Sequence, residues 1–166
     1  SFALTISFEP SNPGDSNDIL YIESNARTLP QMTINLSGSG VHPAPEVVTN
    51  VAFTVSDYDA QINWDPVTTS VIGTPLTPDL YIVLYNATED IDDIEKYYYL
   101  DYTEDANYTH RGVARFSPRM FYRIVAFKDY REMVSARNKL DNLKSKNLSW
   151  KQLKLLLDHG VSTSRH

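Results

Sequence analysis

The chain has 166 residues, of which 42% are hydrophobic and 22% are charged, a composition typical of a folded protein and too apolar for a disordered one. Its formal net charge of −6 argues against extensive contact with nucleic acid or anionic lipid, because both require clustered Lys and Arg side chains. Cysteine is absent, which excludes disulfides, cysteine-ligated zinc and thiol nucleophiles, and no apolar run approaches the roughly 20 residues of a membrane span.

Three segments in the first forty residues alternate apolar and polar side chains, which predicts strands at 2–8, 18–23 and 31–36. Pro, Gly, Asn and Asp residues at 10–15 supply turn chemistry after the first of them, so we expect a three-stranded meander. A sheet this small leaves an apolar face uncovered. Because the chain also begins without Met in the middle of an alternating run, we expect it to be a fragment of a longer precursor.

A connector is predicted at residues 41–46, because the Ser-Gly sequence just before it adds conformational freedom and Pro43 and Pro45 remove it. The β pattern then resumes in short segments separated by turn residues, which is typical of a β-sandwich. We therefore predict a mainly β fold with a seam between two modules at the connector. The six predicted strands of the second module are 47–55, 60–64, 81–85, 97–100, 107–110 and 120–128.

The apolar spacing changes from strand-like to helical near residue 135, which predicts two short helices at 135–160 and a frayed tail at 161–166. Ser149 and Gln152 have the spacing of a capping box at the start of the second helix. These helices either dock on the sandwich or bind a partner, and docking is favoured. Their apolar stripes are Leu140 and Leu143, then Trp150, Leu153, Leu156 and Leu157.

Three motifs carry a resemblance to a known family: INWDP at 62–66, YIVLY at 81–85 and FSPRMFYRIVA at 116–126. They resemble the strand ending in a buried Trp, the third strand, and the tyrosine-corner segment of a fibronectin type III domain, over about residues 45–137. The pattern departs from the family in a long loop after Val67 and in a last strand that is hard to recognise beyond Tyr130. The resemblance implies an immunoglobulin-like sandwich with core residues Trp64, Tyr81, Val83, Tyr122 and Ile124.

The first forty residues show a second resemblance, carried by FEP at 8–10, LYIESN at 20–25 and LSGSG at 36–40. These motifs are similar to the closing half of a bacterial immunoglobulin-like module of the choice-of-anchor D or ASH-like type. Both families are non-catalytic spacer and binding domains that recur in secreted and cell-surface proteins, which implies an extracellular or cell-surface location. The resulting domain organisation is a truncated module at 1–40, a linker at 41–46, a sandwich at 47–134, helices at 135–160 and the tail.

Catalytic and metal-binding patterns are not recognisable. The histidines are scattered over the connector, a strand end, a helix end and the tail, and no nucleophile elbow, zinc-binding helix or phosphate loop occurs. Acidic stretches at 15–18 and 89–95 offer oxygen atoms to calcium, but neither has EF-hand spacing, and solvated faces are favoured. We therefore predict a protein that is not an enzyme and has neither metal nor cofactor.

Tyrosine is the most unusual feature of the composition, with eleven residues, five of them between positions 97 and 108. Exposed tyrosines supply rigid contact area for carbohydrate or protein recognition. Alternation places Tyr97 and Tyr99 opposite Tyr98, so at least one of these faces is expected in the core, and packing is favoured over a ligand platform. The candidate ligand-binding residues are Tyr97, Tyr99, Tyr102 and Tyr108.

The sequence thus predicts a non-catalytic structural, spacer or adhesion region of a bacterial secreted or cell-surface protein, acting through protein interaction. A carbohydrate-binding or other ligand-binding module that uses the tyrosine-rich strand is one alternative. An accessory domain of a secreted hydrolase is another. Burial of the tyrosines would favour the spacer, whereas an exposed coplanar pair would favour the ligand-binding module.

Overall fold

The computed structural model of the chain describes residues 5–7, 14–23, 25, 27–28, 30–40, 42–88, 92–117, 119–130 and 133–158. Within these residues the chain is mainly β, with three antiparallel sheets and two short α-helices near its C-terminal end. It divides into two compact units, Ser1–Pro43 and Ala44–His166. The boundary lies inside the segment predicted as a connector.

The first unit is built on a β-hairpin. Strand β1 (Gly14–Glu23) pairs with β2 (Gln31–Gly40) along all ten residues of each, from Gly14 opposite Gly40 to Glu23 opposite Gln31. The Ser-Gly sequence before the connector is therefore part of the ladder, and β2 ends four residues later than the predicted 31–36. The predicted strand at 2–8 lies outside the described residues except for positions 5–7, which belong to no strand, and the tail at 161–166 also lies outside them.

The second unit is a sandwich of two three-stranded sheets, in the orders β3-β4-β7 and β6-β5-β8. The turn between β3 and β4 holds Asp57 at φ 57°, a left-handed conformation that Asp tolerates better than most residues. Short 3₁₀ turns at Ile94–Lys96 and Val113–Arg115 precede β6 and follow β7. The strands are β3 (Ala52–Ser56), β4 (Asp59–Asn63), β5 (Leu80–Asn86), β6 (Tyr98–Thr103), β7 (Asn107–His110) and β8 (Phe121–Phe127).

Strand β5 lies at the centre of its sheet and is buried on both faces, which explains its uninterrupted apolar sequence. On one face Tyr81 packs edge-on against Trp64 of the facing layer, with ring centroids 5.3 Å apart. The Tyr81 hydroxyl also accepts a hydrogen bond of 3.0 Å from the Val67 N–H. The opposite face presents Leu80, Ile82 and Leu84 to the helices.

Two helices, α1 (Met133–Asp141) and α2 (Trp150–Asp158), form a third layer over that opposite face. Leu140 and Leu153 are completely buried in the same cluster as the leucines of β5. The predicted capping box forms, since the Ser149 N–H donates to Gln152 Oε1 at 3.0 Å and the Gln152 N–H donates to Ser149 Oγ at 3.4 Å. The helices therefore dock on the sandwich, and the predicted mainly β sandwich with a short helical extension is confirmed.

The end of the predicted linker belongs structurally to the sandwich. The Glu46 N–H donates to the Thr69 carbonyl at 3.0 Å, and the Val71 N–H donates to the Ala44 carbonyl at 2.9 Å. Ser70 is fully buried between these bonds, and its N–H donates to the Thr74 carbonyl at 2.8 Å. The long loop after Val67 is thus fixed by backbone hydrogen bonds to the segment that enters the sandwich.

Candidate interaction site

Two of the candidate tyrosines are core residues. Tyr97 and Tyr99 are each 2% exposed, whereas Tyr98 between them is 38% exposed, as strand alternation requires. The Tyr99 hydroxyl donates to the Leu140 carbonyl at 3.2 Å and so connects β6 to α1. Burial, reinforced by the nearby Asp101 carboxylate, raises the pKa of Tyr99 far above its usual value. At 2% exposure, neither ring presents an exposed stacking face to solvent.

The hydroxyl groups of the other two candidate tyrosines are engaged within the fold. Tyr102 donates to Asp141 Oδ2 at 3.2 Å, and Tyr108 donates to Asp101 Oδ2 at 3.3 Å. The Lys144 ammonium lies 4.7 Å from the centre of the Tyr102 ring and pairs with Asp101 at 2.9 Å and Asp141 at 3.0 Å. These groups form a polar network that holds the end of α1 against β6.

The predicted core residues occupy the space between the two sheets. Trp64, Tyr81 and Val83 are buried, while Tyr122 and Ile124 are partly buried and pack against them from β8. The Tyr122 hydroxyl and His110 Nδ1 are hydrogen-bonded at 2.8 Å, which joins β8 to β7 of the other sheet. Burial raises the pKa of Tyr122 to about 12 and lowers the pKa of His110 below its usual value.

One edge of the second sheet is covered by the segment before α2. The Tyr99 N–H donates to the Leu148 carbonyl at 2.8 Å, and the Trp150 N–H donates to the Tyr97 carbonyl at 2.8 Å. At the opposite edge, β8 pairs with β5 on one side and, among the described residues, with no strand on the other. The main chain at the β6 edge is therefore hydrogen-bonded to the segment before α2, whereas β8 has no neighbouring strand on its outer side among the described residues.

A groove follows the outer edge of β8, and we call it the β8 groove. One part, of about 410 Å³, touches five consecutive β8 residues, 122–126. A second part, of about 420 Å³, continues along the strand past Phe121 to Met120. Its walls also contain the polar residues Glu46 and Asp92. The apolar residues that line them are Pro45, Val47, Val48, Val51, Phe53, Ile94, Tyr97 and Trp150.

Strand β3, which forms one wall of the β8 groove with the segment leading into it, is exposed along its whole length. Phe53 is 49% exposed although its ring stacks on Tyr122 at 5.8 Å, and Val47 is 80% exposed. A strand of a sandwich, even at the edge of its sheet, normally buries one of its faces against the facing sheet. This surface was not predicted from the sequence, and the only signal for it was the unrecognisable last strand beyond Tyr130.

A second cleft, of about 520 Å³, contains both aromatic and polar side chains. Phe116 is 87% exposed at its margin, and the Tyr85 hydroxyl donates to Asn147 Oδ1 at 2.8 Å inside it. Lys144 and His110 also line the cleft. Aromatic rings beside hydrogen-bonding groups are the features that a sugar-binding surface requires.

Within the described ranges, no group of three or more His, Asp or Glu side chains is placed to hold a metal ion. Part of the acidic stretch at 89–95 lies outside these ranges, but Asp93 is described and its carboxylate accepts a hydrogen bond of 2.9 Å from the Glu95 N–H. None of the described helices has the length and apolar character needed to cross a membrane.

Comparisons with protein-family models, curated proteins and solved structures gave no match for the chain.

Proposed function

We propose that the chain is a non-catalytic structural, spacer or adhesion region of a bacterial secreted or cell-surface protein, acting through protein interaction. The observation that carries this proposal is that all four candidate tyrosines take part in the internal contacts of the fold. Tyr97 and Tyr99 fill the core, and the hydroxyls of Tyr102 and Tyr108 bind carboxylates of the same unit. A ligand platform needs exposed aromatic faces, whereas these side chains hold the helices and sheets of the chain together.

The order of the strands supports a fibronectin type III-like or immunoglobulin-like module. In such sandwiches strands A, B and E form one sheet, and C, F and G form the other, with C′ next to C where it is present. Strands β3, β4 and β7 have the order A-B-E, and β6, β5 and β8 have the order C′-C-F. Strand G has no counterpart among the described residues. Modules of this class commonly serve as spacers and binding domains, which is the function proposed here.

The first unit supports a tandem arrangement of modules. Its hairpin leaves large apolar side chains exposed, including Tyr21 at 57%, Met32 at 48% and Ile19 at 45%. Two strands alone are marginally stable in water, so the exposed apolar side chains of the hairpin are expected to pack against further strands of such a module. A chain that joins the end of one such module to the next is suited to a structural role.

Two measurements test this proposal. An oligosaccharide array probed with the purified chain is expected to show no saturable binding. An antibody raised against the chain is expected to stain intact cells of the bacterium that produces it. Staining only after the cells are permeabilised would contradict the proposed location, and saturable sugar binding would contradict the spacer function.

A ligand-binding module remains the second candidate because of the aromatic and polar cleft beside Phe116. If a sugar binds there, Phe116→Ala should abolish the array signal while leaving the fold intact, since the side chain is 87% exposed. Ile72→Ala is the matched control, because Ile72 is 71% exposed and does not line the cleft. A signal that both variants retain would place any sugar site elsewhere.

A further inference from the structure

We propose that the β8 groove is a strand-acceptor site, which binds an extended segment of a partner polypeptide as an additional strand of the sandwich. The partner is defined by its chemistry: an extended main chain of about seven residues that carries apolar side chains on both faces. This inference deepens the proposed protein-interaction function and rests on it. It adds a location, a binding mode and a class of ligand.

The residues at the floor of the groove indicate that its ligand is the main chain of a polypeptide. Successive side chains of a strand point to opposite faces of its sheet, so a cavity that touches residues 122–126 in succession approaches β8 from its edge. The edge of a strand presents N–H and C=O groups in a row, and another extended chain is the ligand that pairs with such a row. A compact small molecule could pair with only a few of these groups.

The residues that line the walls of the groove indicate which side chains the bound segment should carry. On the side of the facing sheet the wall consists of Val47, Val51 and Phe53, which are between 37% and 80% exposed. On the side of the helical layer it includes Ile94, Tyr97 and Trp150. An added strand would direct alternate side chains to these two walls, so both sets should be apolar and preferably β-branched. Strand β8 has seven residues, which sets the length of the segment.

The residues that directly follow β8 do not provide this strand. Only residues 128–132 separate β8 from α1, and a hairpin would need a turn as well as a strand that matches β8. In addition, Lys128 Nζ binds Asp79 Oδ1 at 2.6 Å, and the Asp129 N–H donates to Asp79 Oδ2 at 2.9 Å. Asp79 directly precedes β5, so these bonds hold the chain on the β5 side of β8, away from its outer edge.

A single extended segment fits this groove better than the sheet edge of a second copy. The floor of the groove lies between two walls that belong to different layers of the sandwich. The edge strand of a folded second copy would bring its own layers against both walls. A segment that is extended only when bound carries no such layers, and it would bury Val47, Val51 and Phe53 as it pairs with β8.

The test uses a synthetic peptide of seven Val, Ile and Thr residues, matched to the seven residues of β8 and flanked by Lys for solubility. Two further peptides carry N-methyl groups, one on alternate amides so that a single edge of the strand is blocked, and one on every amide so that both edges are blocked. The unmodified peptide should bind the full chain and slow the hydrogen exchange of β8 amides. The peptide with one blocked edge should still bind, because its other edge can pair with β8, whereas the peptide with both edges blocked should not. Binding of the fully methylated peptide, or no binding of the unmodified peptide, overturns the proposal.

A pair of variants locates the peptide on the chain. Val47→Glu should weaken binding by about tenfold or more, because the added carboxylate would be buried against an apolar ligand. Val71→Glu should bind like the original chain, since Val71 is 60% exposed and lies outside the groove. Equal binding by the two variants overturns the assignment to this groove.

Sedimentation of the chain without peptide tests the rival occupant. A dimer that dissociates in the Val47→Glu variant and persists in Val71→Glu would show that a second copy fills the groove, which overturns the partner-strand proposal. The original chain and both variants are expected to sediment as monomers. Failure of peptide binding would remove this site only, because the array and cell-staining experiments decide the proposed function independently.

Discussion

Replacing Leu153 with Ala tests whether the helical layer is an integral part of the sandwich fold. Leu153 of α2 is completely buried in a cluster with Leu140 and with three residues of β5. If α2 merely rested near the sheet, shortening this side chain would have little effect on the unfolding of the strands. If the helices complete the core, the substitution should destabilise the whole second unit.

The expected loss follows from the burial of the side chain. Leu→Ala removes three carbon atoms, which corresponds to about 2.4 kcal/mol of transfer free energy at roughly 0.8 kcal/mol for each. The cavity left behind adds to this, and measured losses at buried leucines are about 2–5 kcal/mol. We therefore expect a loss of about 3 kcal/mol, a large fraction of the roughly 5–15 kcal/mol that stabilises a typical domain.

Urea unfolding followed by tryptophan fluorescence measures this loss selectively, because both tryptophans, Trp64 and Trp150, lie in the second unit. With a slope of about 2 kcal/mol per molar urea, the midpoint should fall by about 1.5 M in Leu153→Ala. Leu155→Ala on the same helix is the matched control, since Leu155 is 48% exposed and should shift the midpoint far less. Equal shifts in the two variants would refute the docking of α2.

Two further predictions concern the capping box and the buried imidazole. Ser149→Ala should cost about 1 kcal/mol in the same urea assay, because it removes the side-chain acceptor at the start of α2. Burial holds the pKa of His110 in the folded state below its usual 6.5, so the unfolded chain binds the proton more readily. The stability from neutral His110 should be complete above about pH 6.5 and should be lost as the pH falls toward the folded-state pKa. Urea unfolding across this pH range measures the loss.

The controls for these two predictions are conservative variants. Ser149→Asp keeps a cap acceptor, so it should retain most of the stability that Ser149→Ala loses. His110→Gln keeps a polar side chain opposite Tyr122 but does not titrate, so it should flatten the dependence of stability on pH. A His110→Gln variant as pH-sensitive as the original chain would assign the effect to another group.

The strands and helices of the second unit could be predicted because their sequence patterns are local. The run at 81–85 is apolar at every position, which indicates a strand buried on both faces, and β5 is such a strand. The capping box of α2 was visible in the spacing of Ser149 and Gln152. The sequence left two expectations for the helices, docking on the sandwich or binding a partner. It could not decide between them, because an apolar stripe does not identify the surface that it packs on.

Other features depend on contacts that the sequence does not encode locally. The Ser-Gly end of β2 resembled a flexible connector, and its strand geometry comes from pairing with Gly14–Glu23. His110 and Tyr122 meet because they lie on different sheets that face each other across the sandwich. The β8 groove was the hardest feature to predict, since it arises from a strand that is missing among the described residues.

The helical layer and the open edge of β8 have a common cause. The outer face of the second sheet carries Leu80, Ile82 and Leu84, which would be exposed in a sandwich of two layers only. The chain covers them by continuing from β8 into α1, and the same residues cannot also return along β8 as a strand. Covering the face is favourable because it buries three large apolar side chains, each contributing roughly 1.5–3 kcal/mol. That β8 has a partner strand on one side only, among the described residues, is therefore a direct consequence of how this fold completes its core.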